Sequence, residues 1–379
     1  MRLLWASVFV ILFTAIPGIA QESVSTDQPA VCPILEKLVE ADGMLHDLPL
    51  KRWPSWSRKK DPKREIGLAI LDKNCEVSTI VVIKDKKDLT MPAQTAQQYQ
   101  VQIVPRLGIT WNSHFTHFEV TRPVGASVVK VKYQNFDGTF ITGPAYNPEL
   151  RIPPILERAK YHVRTNVDEA FNRIHAAGVQ SRAYQGRVID DTIISRRAIE
   201  ALPFMEQSDP DECRADCQTA FEMVLVRLGV DVEKAFSATK SRVGASGLTQ
   251  FMRGTHSFIT NTYPTAGLIR DYGQATSNHV NILMETILLF DYNLGELVKA
   301  FGPEILEAPF LEELALGAHN GGVGRVILSV ENAGARQLED WTHGQVRGKI
   351  HGRWRTLSIL PETQMFIFKF REFLRLNVL

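Results

Sequence analysis

The pattern of hydrophobic and polar positions changes character near residue 150. The first part of the chain has short β-branched runs, several of which alternate apolar and polar residues, and these predict strands. The runs are residues 78–84, 99–104, 117–121 and 128–133. Asp137-Gly138, between the last run and residues 139–142, predicts a hairpin, and a short helix is expected over residues 34–41. The first part is therefore predicted to be β-rich.

The second part has apolar positions that recur with helical spacing. Asn166 is expected to cap one helix and Gly178 to end it. Ser277 or Asn278 is expected to cap a long, nearly all-apolar helix through Leu297, which should be buried. Three further apolar helix faces are Ile194, Ala198, Ala201, Leu202 and Met205; then Leu311, Leu314, Ala315 and Ala318; and last Phe366, Phe370, Phe373 and Leu374.

The first twenty residues predict export. Arg2 precedes an almost wholly apolar run with small residues at its end, which is typical of a secretory signal peptide over residues 1–20. A membrane anchor is the alternative, because the run is nearly long enough to span a bilayer. Pro17 and the small residues favour cleavage, so no integral membrane domain is expected afterwards. The prediction is an α+β chain with a β-rich N-terminal domain of unknown role over residues 21–150 and a mainly α-helical domain over residues 151–379.

Charge and cysteine content narrow the function. The chain has 43 basic and 42 acidic residues, and loss of Arg2 with the signal peptide leaves it formally neutral, so nucleic acid is not an expected partner. The even number of cysteines in an exported chain predicts disulfides. Proximity favours Cys32–Cys75 and Cys213–Cys217, although other pairings and free, buried thiols stay open. The close cysteine pair lacks a second pair or a flanking histidine, so no metal and no cofactor are expected.

The helical part contains four short strings in a fixed order. They are residues 201–208 (ALPFMEQS), 244–252 (GASGLTQFM), 315–326 (ALGAHNGGVGRV) and 360–366 (LPETQMF). They resemble the motifs of lytic transglycosylases with a lysozyme-like fold, especially the membrane-bound lytic murein transglycosylase type. That family has a helix ending in Leu-Pro-x-x-Glu-Ser, a Gly-Ala-x-Gly-Leu-Met/Trp-Gln loop, an Ala-Tyr-Asn-Ala-Gly helix end and a C-terminal Pro-x-Glu-Thr-x-x-Tyr. The resemblance covers roughly residues 160–375.

The resemblance implies a peptidoglycan-cleaving enzyme of the periplasm or cell envelope, with Glu206 as its single acid and base. A carboxylic acid in an apolar, partly dry setting can protonate the leaving oxygen of a glycosidic bond. Most glycosidases use two carboxylates. In this family one glutamate gives a proton and then takes one from the sugar's own C6 hydroxyl, which leaves a 1,6-anhydromuramoyl end. The partner is the glycan strand, and the N-terminal domain is a candidate site for an envelope protein.

The resemblance also assigns substrate contacts to six residues, which are Gly247, Leu248, Gln250, His319, Asn320 and Gly321. The glycines allow tight backbone near the ligand. Gln250 is expected to bind sugar or acetamido groups, and Asn320 to orient the catalytic carboxyl or a hydroxyl. Glu206, Gln250 and Asn320 also have ordinary interpretations, as an exposed glutamate, a loop cap and a helix end respectively. The joint pattern outweighs these single interpretations.

The chain departs from the family in its spacing. Residues 209 to about 235 look like an insertion between the glutamate and the glycine loop. Glu233 is the alternative acid, because it lies close to that loop, but its upstream context fits poorly. Gln207, His319 and Phe366 replace the usual serine and tyrosines. A muramidase-type hydrolase of the same fold and a non-catalytic cell-wall-binding protein are the alternative functions.

Overall fold

Over its described residues, the strand-rich part of the chain folds into two helices, a five-stranded sheet and a separate pair of strands. The computed structural model describes residues 32–52, 64–85, 88–104, 117–134, 139–145, 147–237, 239–241, 243–333, 346–350, 353–357 and 361–379. The signal peptide predicted over residues 1–20 lies outside these ranges. The elements are α1 (Ile34–Asp47), β1 (Arg64–Leu71), β2 (Val77–Asp85), β3 (Asp88–Thr90), α2 (Ala93–Gln98), β4 (Gln100–Val104), β5 (His117–Arg122), β6 (Ser127–Gln134) and β7 (Phe140–Pro144).

The sheet has the order β3-β2-β1-β6-β7, with antiparallel neighbours throughout. The strand β1 at its centre was not predicted. Its last six residues are all buried, so its sequence lacks the apolar–polar alternation that marks a half-exposed strand. Strands β6 and β7 pair from Gln134 opposite Phe140, as the predicted hairpin requires, while the turn residues Asp137 and Gly138 lie outside the described ranges. Helix α1 covers the sheet and is longer than expected.

The second part is mainly helical, so an α+β arrangement is confirmed. Its elements are α3 (Pro153–Ala176), α4 (Arg196–Gln207), α5 (Pro210–Val230), α6 (Arg253–Thr262), α7 (Tyr272–Ser277), α8 (His279–Phe301), α9 (Leu311–Gly321), α10 (Val323–Ala333), β8 (Val346–Ile350), β9 (Arg353–Leu357) and α11 (Pro361–Leu376). Strands β8 and β9 form an antiparallel pair that was not predicted.

Two helix starts test the capping predictions. Helix α3 begins at Pro153 rather than near Asn166, because proline is well suited to the first turn of a helix. The Asn166 side chain instead donates to the carbonyl of His162, one turn earlier, at 2.7 Å. The end of α3 is as predicted, with Gly178 at φ +64° just beyond it. Helix α8 starts as expected, with the Asn278 side chain accepting from the backbone N–H of Asn281 at 2.9 Å.

The segment predicted to be an insertion is largely helix α5, which belongs to the core. Its backbone leaves the helical range at Asp216, and the predicted Cys213–Cys217 disulfide bridges that kink. Beyond the kink the helix is buried almost all round and packs against α3. It is therefore part of the helical core and not a peripheral addition. Cys32 and Cys75 are disulfide-bonded as well.

The β-rich and helical parts each have a hydrophobic core, and residues 33–379 form one compact unit. A buried ion cluster joins the two parts. Lys130 of β6 lies 3.3 Å from Asp42 of α1 and 3.4 Å from Asp231, which follows α5. Among the described residues, no helix is both long enough and apolar enough to cross a membrane.

Candidate active site

The end of helix α4 brings Glu206 to the wall of a pocket. Ser195 caps the start of the helix, and its hydroxyl accepts from the backbone N–H of Ala198 at 3.3 Å. The apolar side of the helix is buried, as the sequence predicted. Its buried residues include Ala198, Ile199, Ala201, Leu202, Phe204 and Met205. Glu206 is the next-to-last residue of the helix, and its side chain is 16% exposed. The carboxyl is thus largely buried but still open to a ligand.

The pocket has a volume of about 340 Å³ and draws on all four of the sequence strings. It is lined by Glu206, Ser241, Val243, Ala245, Gln250, Phe251, Met252, Thr255, Leu289, His319, Asn320 and Glu362. Of the six predicted substrate contacts, Gln250, His319 and Asn320 face this pocket. Gly247, Leu248 and Gly321 do not line it. Leu248 is 1% exposed and belongs to the hydrophobic core instead.

Burial dominates the electrostatics of Glu206. Loss of solvent raises the pKa of its carboxyl, the ammonium of Lys369 lowers it and the nearby carboxylate of Glu362 raises it, so that the pKa is about 8. The carboxyl is therefore protonated at neutral pH. A protonated carboxyl at the wall of a pocket is able to give its proton to a bound molecule.

His319 is the neighbour of Glu206 across the pocket. Its Nε2 lies 3.7 Å from a carboxyl oxygen of Glu206. Burial lowers the pKa of His319 to about 4, so the ring is neutral in the same range where Glu206 is protonated. The ring stacks on Phe366 with an angle of 14° and also contacts Phe251 and Phe290. These aromatic contacts fix a neutral hydrogen-bonding ring beside the carboxyl.

The glycine loop takes a conformation that its sequence requires. Gly247 has φ +83°, and a Cβ there would lie 2.4 Å from the carbonyl oxygen of Thr276. Only glycine fits both constraints. Gln250 also has a positive φ, and its side-chain amide donates to the carbonyl of Gly247 at 2.8 Å. It therefore closes the loop, as its ordinary interpretation held, while it also lines the pocket.

Gln207 ties this loop to the end of α4. Its buried side-chain amide donates to the carbonyls of Gly247 and Leu248, both at 2.9 Å. In the sequence, Gln207 stands out only as a departure from the usual serine. In the structure it sets the distance between the helix that carries Glu206 and the loop that carries Gln250.

Asn320 is positioned by the last helix. The Thr363 hydroxyl of α11 donates to the Asn320 side-chain oxygen at 2.8 Å. Gly321 allows this approach, since a Cβ there would lie 2.7 Å from the same hydroxyl. Gly322 at φ +88° ends α9. The third and fourth strings are thus in direct contact.

Two charged residues were not singled out from the sequence. Glu362 of α11 is a second carboxylate on the pocket wall. Lys369, one helical turn after Phe366 and Met365 on the same helix, is buried among apolar residues and donates to backbone carbonyls at the end of α4. A lysine within the apolar face of a helix is the signal that would have identified it.

Glu233, the alternative acid, lies elsewhere. It is exposed in the turn that follows α5 and does not line the pocket. Within the described ranges, no cluster of three or more histidine, cysteine, aspartate or glutamate side chains is arranged to hold a metal ion.

Comparison of the chain with family models, with curated proteins and with solved structures gave no match in any of the three.

Proposed function

We propose that this protein is a lytic transglycosylase that cleaves the bond between N-acetylmuramic acid and N-acetylglucosamine in peptidoglycan, through a helical domain of the lysozyme-like type. One observation carries the proposal. The four strings that resemble the family's motifs lie far apart in the chain, yet each supplies at least one residue to the same pocket, as Glu206, Gln250, Asn320 and Glu362 illustrate. Neither their order nor their spacing in the sequence requires this convergence.

Glu206 is the proposed acid and base. With a pKa of about 8 its carboxyl holds a proton at neutral pH, which it gives to the glycosidic oxygen as the bond to C1 of the muramoyl sugar breaks. The resulting carboxylate then takes the proton of the C6 hydroxyl, whose oxygen bonds to C1. No water is consumed, the product has a 1,6-anhydromuramoyl end, and Glu206 is protonated again.

The other pocket residues have positioning roles in this proposal. Gln250 uses its amide nitrogen on Gly247, which leaves its amide oxygen for an acetamido N–H of the sugar. Asn320 accepts from Thr363 through its oxygen, which leaves its amide nitrogen to donate to a sugar oxygen. His319 holds a neutral ring beside the acid.

A muramidase-type hydrolase is the second candidate. It is favoured by Glu362, because hydrolysis by two carboxylates needs a second acidic group in the same pocket. In that case Glu362 would activate a water, and the products would have reducing ends.

The proposed place of action is the periplasm or cell envelope. Disulfide-bonded cysteines fit an oxidising compartment outside the cytosol. The β-rich part, whose role is open, is proposed to bind a partner protein there.

The test is digestion of purified peptidoglycan by the oxidised protein, with products identified by mass spectrometry. Wild type is compared with Glu206→Gln and with Glu233→Gln, a matched control that removes an exposed carboxylate outside the pocket. We expect anhydromuramoyl products from wild type and Glu233→Gln. Glu206→Gln should lower the rate by at least about a hundredfold.

Other outcomes separate the alternatives. Reducing-end products that disappear in both Glu206→Gln and Glu362→Gln would replace the proposal with hydrolysis. Loss of activity only in Glu233→Gln would identify Glu233, and not Glu206, as the acid. If the wild-type protein binds peptidoglycan without cleaving it, the alternative of a non-catalytic cell-wall-binding protein would be supported.

A further inference from the structure

Lys369 is a buried lysine in the apolar side of helix α11. Its residue is 4% exposed, and Phe366, Phe370 and Phe373 share its side of the helix. Lysine is rarely buried unless its charge is compensated, because removal of an ammonium group from water is unfavourable. What compensates Lys369 is therefore informative.

The compensation comes from the end of helix α4. The Lys369 ammonium donates to the carbonyl of Met205 at 2.7 Å and to that of Ser208 at 2.6 Å. These two residues flank Glu206 and Gln207 in the chain. Carbonyls at the end of a helix are without intrahelical partners and carry the negative end of its dipole, so a cation is favourable there. Lys369 thus fixes the backbone on both sides of the proposed acid.

The charges around this lysine come from three helices. Acidic neighbours are Glu206 of α4, Asp209 at the start of α5 and Glu362 of α11, and the basic neighbour is Arg214 of α5. Around Glu206 the charged groups are Lys369 and Glu362, while His319 contributes a neutral ring. Burial lowers the pKa of Lys369 to about 8, and Glu206 is the largest influence that opposes this. The lysine and the glutamate therefore act on each other.

We propose that Lys369 is a positioning residue that acts through Glu206, holding the end of α4 in place and stabilising the carboxylate that Glu206 becomes when it gives up its proton. This inference rests on the proposed function. In the first half of that reaction Glu206 changes from neutral to negative although its side chain is largely buried. The fixed ammonium of Lys369 favours the charged form, and no reorganisation is needed when the charge appears. In the second half the carboxylate takes the C6 hydroxyl proton and becomes neutral again.

The first experiment titrates the Glu206 carboxyl by carbon-13 NMR of the labelled protein, with Glu206→Gln to assign the signal. Wild type is compared with two neutral variants, Lys369→Met and Lys369→Gln, and with Lys369→Arg, which retains the charge. We expect the midpoint to rise by about one pH unit in both neutral variants, because they remove the cation that favours the carboxylate. The midpoint of Lys369→Arg should stay close to that of wild type.

The second experiment measures the rate of peptidoglycan cleavage against pH for the same variants. The alkaline limb should move to higher pH in the neutral variants, while the maximal rate falls by roughly tenfold or more. Loss of the two hydrogen bonds alone would lower the rate without moving the limb. Lys369→Gln retains a donor for the carbonyls, so it keeps the test open if Lys369→Met does not fold.

The two proposals fail in different ways. An unchanged Glu206 midpoint in folded Lys369→Met or Lys369→Gln would overturn the role of Lys369, even if wild type cleaves peptidoglycan. A midpoint that moves equally in Lys369→Arg would also overturn it, because the charge would not be the cause. If wild type cleaves nothing while the midpoint moves as expected, the proposed function fails and the coupling of the two residues is supported.

Discussion

Glu206 is held where burial opposes the ionisation of its carboxyl. Its pKa of about 8 in the folded protein lies well above its ordinary value of 4.5. Between these values the unfolded chain releases the proton and the folded chain keeps it, so stability falls as pH rises. The stabilising contribution is fully present below about pH 4.5 and is lost by about pH 8.

Glu206→Gln should therefore stabilise the protein at neutral and alkaline pH. The gain in free energy of unfolding over wild type should grow from about pH 4.5 to about pH 8, by roughly 2–4 kcal/mol. Urea unfolding at several pH values across this window measures it. Glu233→Gln, which removes an exposed carboxylate, should show no such trend. An equal gain for Glu206→Gln at both ends of the window would contradict the raised pKa.

At this scale the sequence predicted some site residues and missed others. Glu206, Gln250 and Asn320 stand within strings whose order along the chain carries information. Gln207 and Lys369 act through backbone carbonyls of distant segments, at separations of 40 and 164 residues respectively. Such contacts depend on how helices meet, which no local pattern records. Burial of a charge within an apolar helix face was the one signal available for Lys369.

At the scale of elements, the pocket depends on how α4 and the glycine loop are joined. Two amides, those of Gln207 and Gln250, donate to the same carbonyl of Gly247. The backbone of Thr276, at the end of α7, lies directly against Gly247. The position of Gly247 is thus fixed by contacts with Gln207, Gln250 and Thr276. Its positive φ is a backbone conformation that few residues other than glycine adopt.

Gly247→Ala should destabilise the protein more than Gly244→Ala, although both glycines have a positive φ. At Gly244 a Cβ meets nothing within 4 Å, so only the backbone conformation is penalised, by about 1–2 kcal/mol. At Gly247 the overlap with the carbonyl of Thr276 should add roughly 2 kcal/mol. Thermal or urea unfolding of the two variants measures the difference. Equal losses would mean that the loop shifts freely away from α7.

Element prediction succeeded where the determinants are local. Asn278 caps α8 and Gly178 ends α3, because a cap depends on residues within one turn. The predicted start of α3 was wrong, because the helix begins at the prolines of its first turn and Asn166 lies inside it. Strand β1 was missed because tertiary burial on both faces removes alternation. The burial of helix α5 was not predicted, because spacing against a family motif says nothing about packing.

At the scale of the molecule, the β-rich and helical parts meet at a cluster of charges. Lys130 is 5% exposed at its side chain and lies between Asp42 and the nearly buried Asp231. Lys234, which is 53% exposed, also pairs with Asp42, at 2.9 Å. One of the two lysines is therefore buried between its partners and the other is largely in water.

Lys130→Met should destabilise the protein by about 3 kcal/mol, because it leaves the carboxylate of Asp231 buried without its cation. Lys234→Met removes a cation from the same cluster at its exposed side and should cost less than about 1 kcal/mol. The free energy of unfolding in urea measures both. Equal losses would show that the burial of Lys130 is not what matters.

The sequence predicted a strand-rich part followed by a helical part, because the apolar patterns of strands and helices can be told apart within a few residues. How the parts are joined did not follow. Lys130 and Asp231 are 101 positions apart, and neither lies in a pattern that indicates the other. The α+β arrangement can thus be predicted from local patterns, whereas the contact between the two parts cannot.

The pocket is assembled from four distant segments, so it does not exist until the chain has folded. A chain with native helices but unfinished packing would have Glu206 in water, where its carboxyl would be ionised at neutral pH and unable to donate. Under the proposed function, cleavage begins only when folding is complete. Under the same proposal, a chain that crosses the membrane unfolded could not yet cut peptidoglycan.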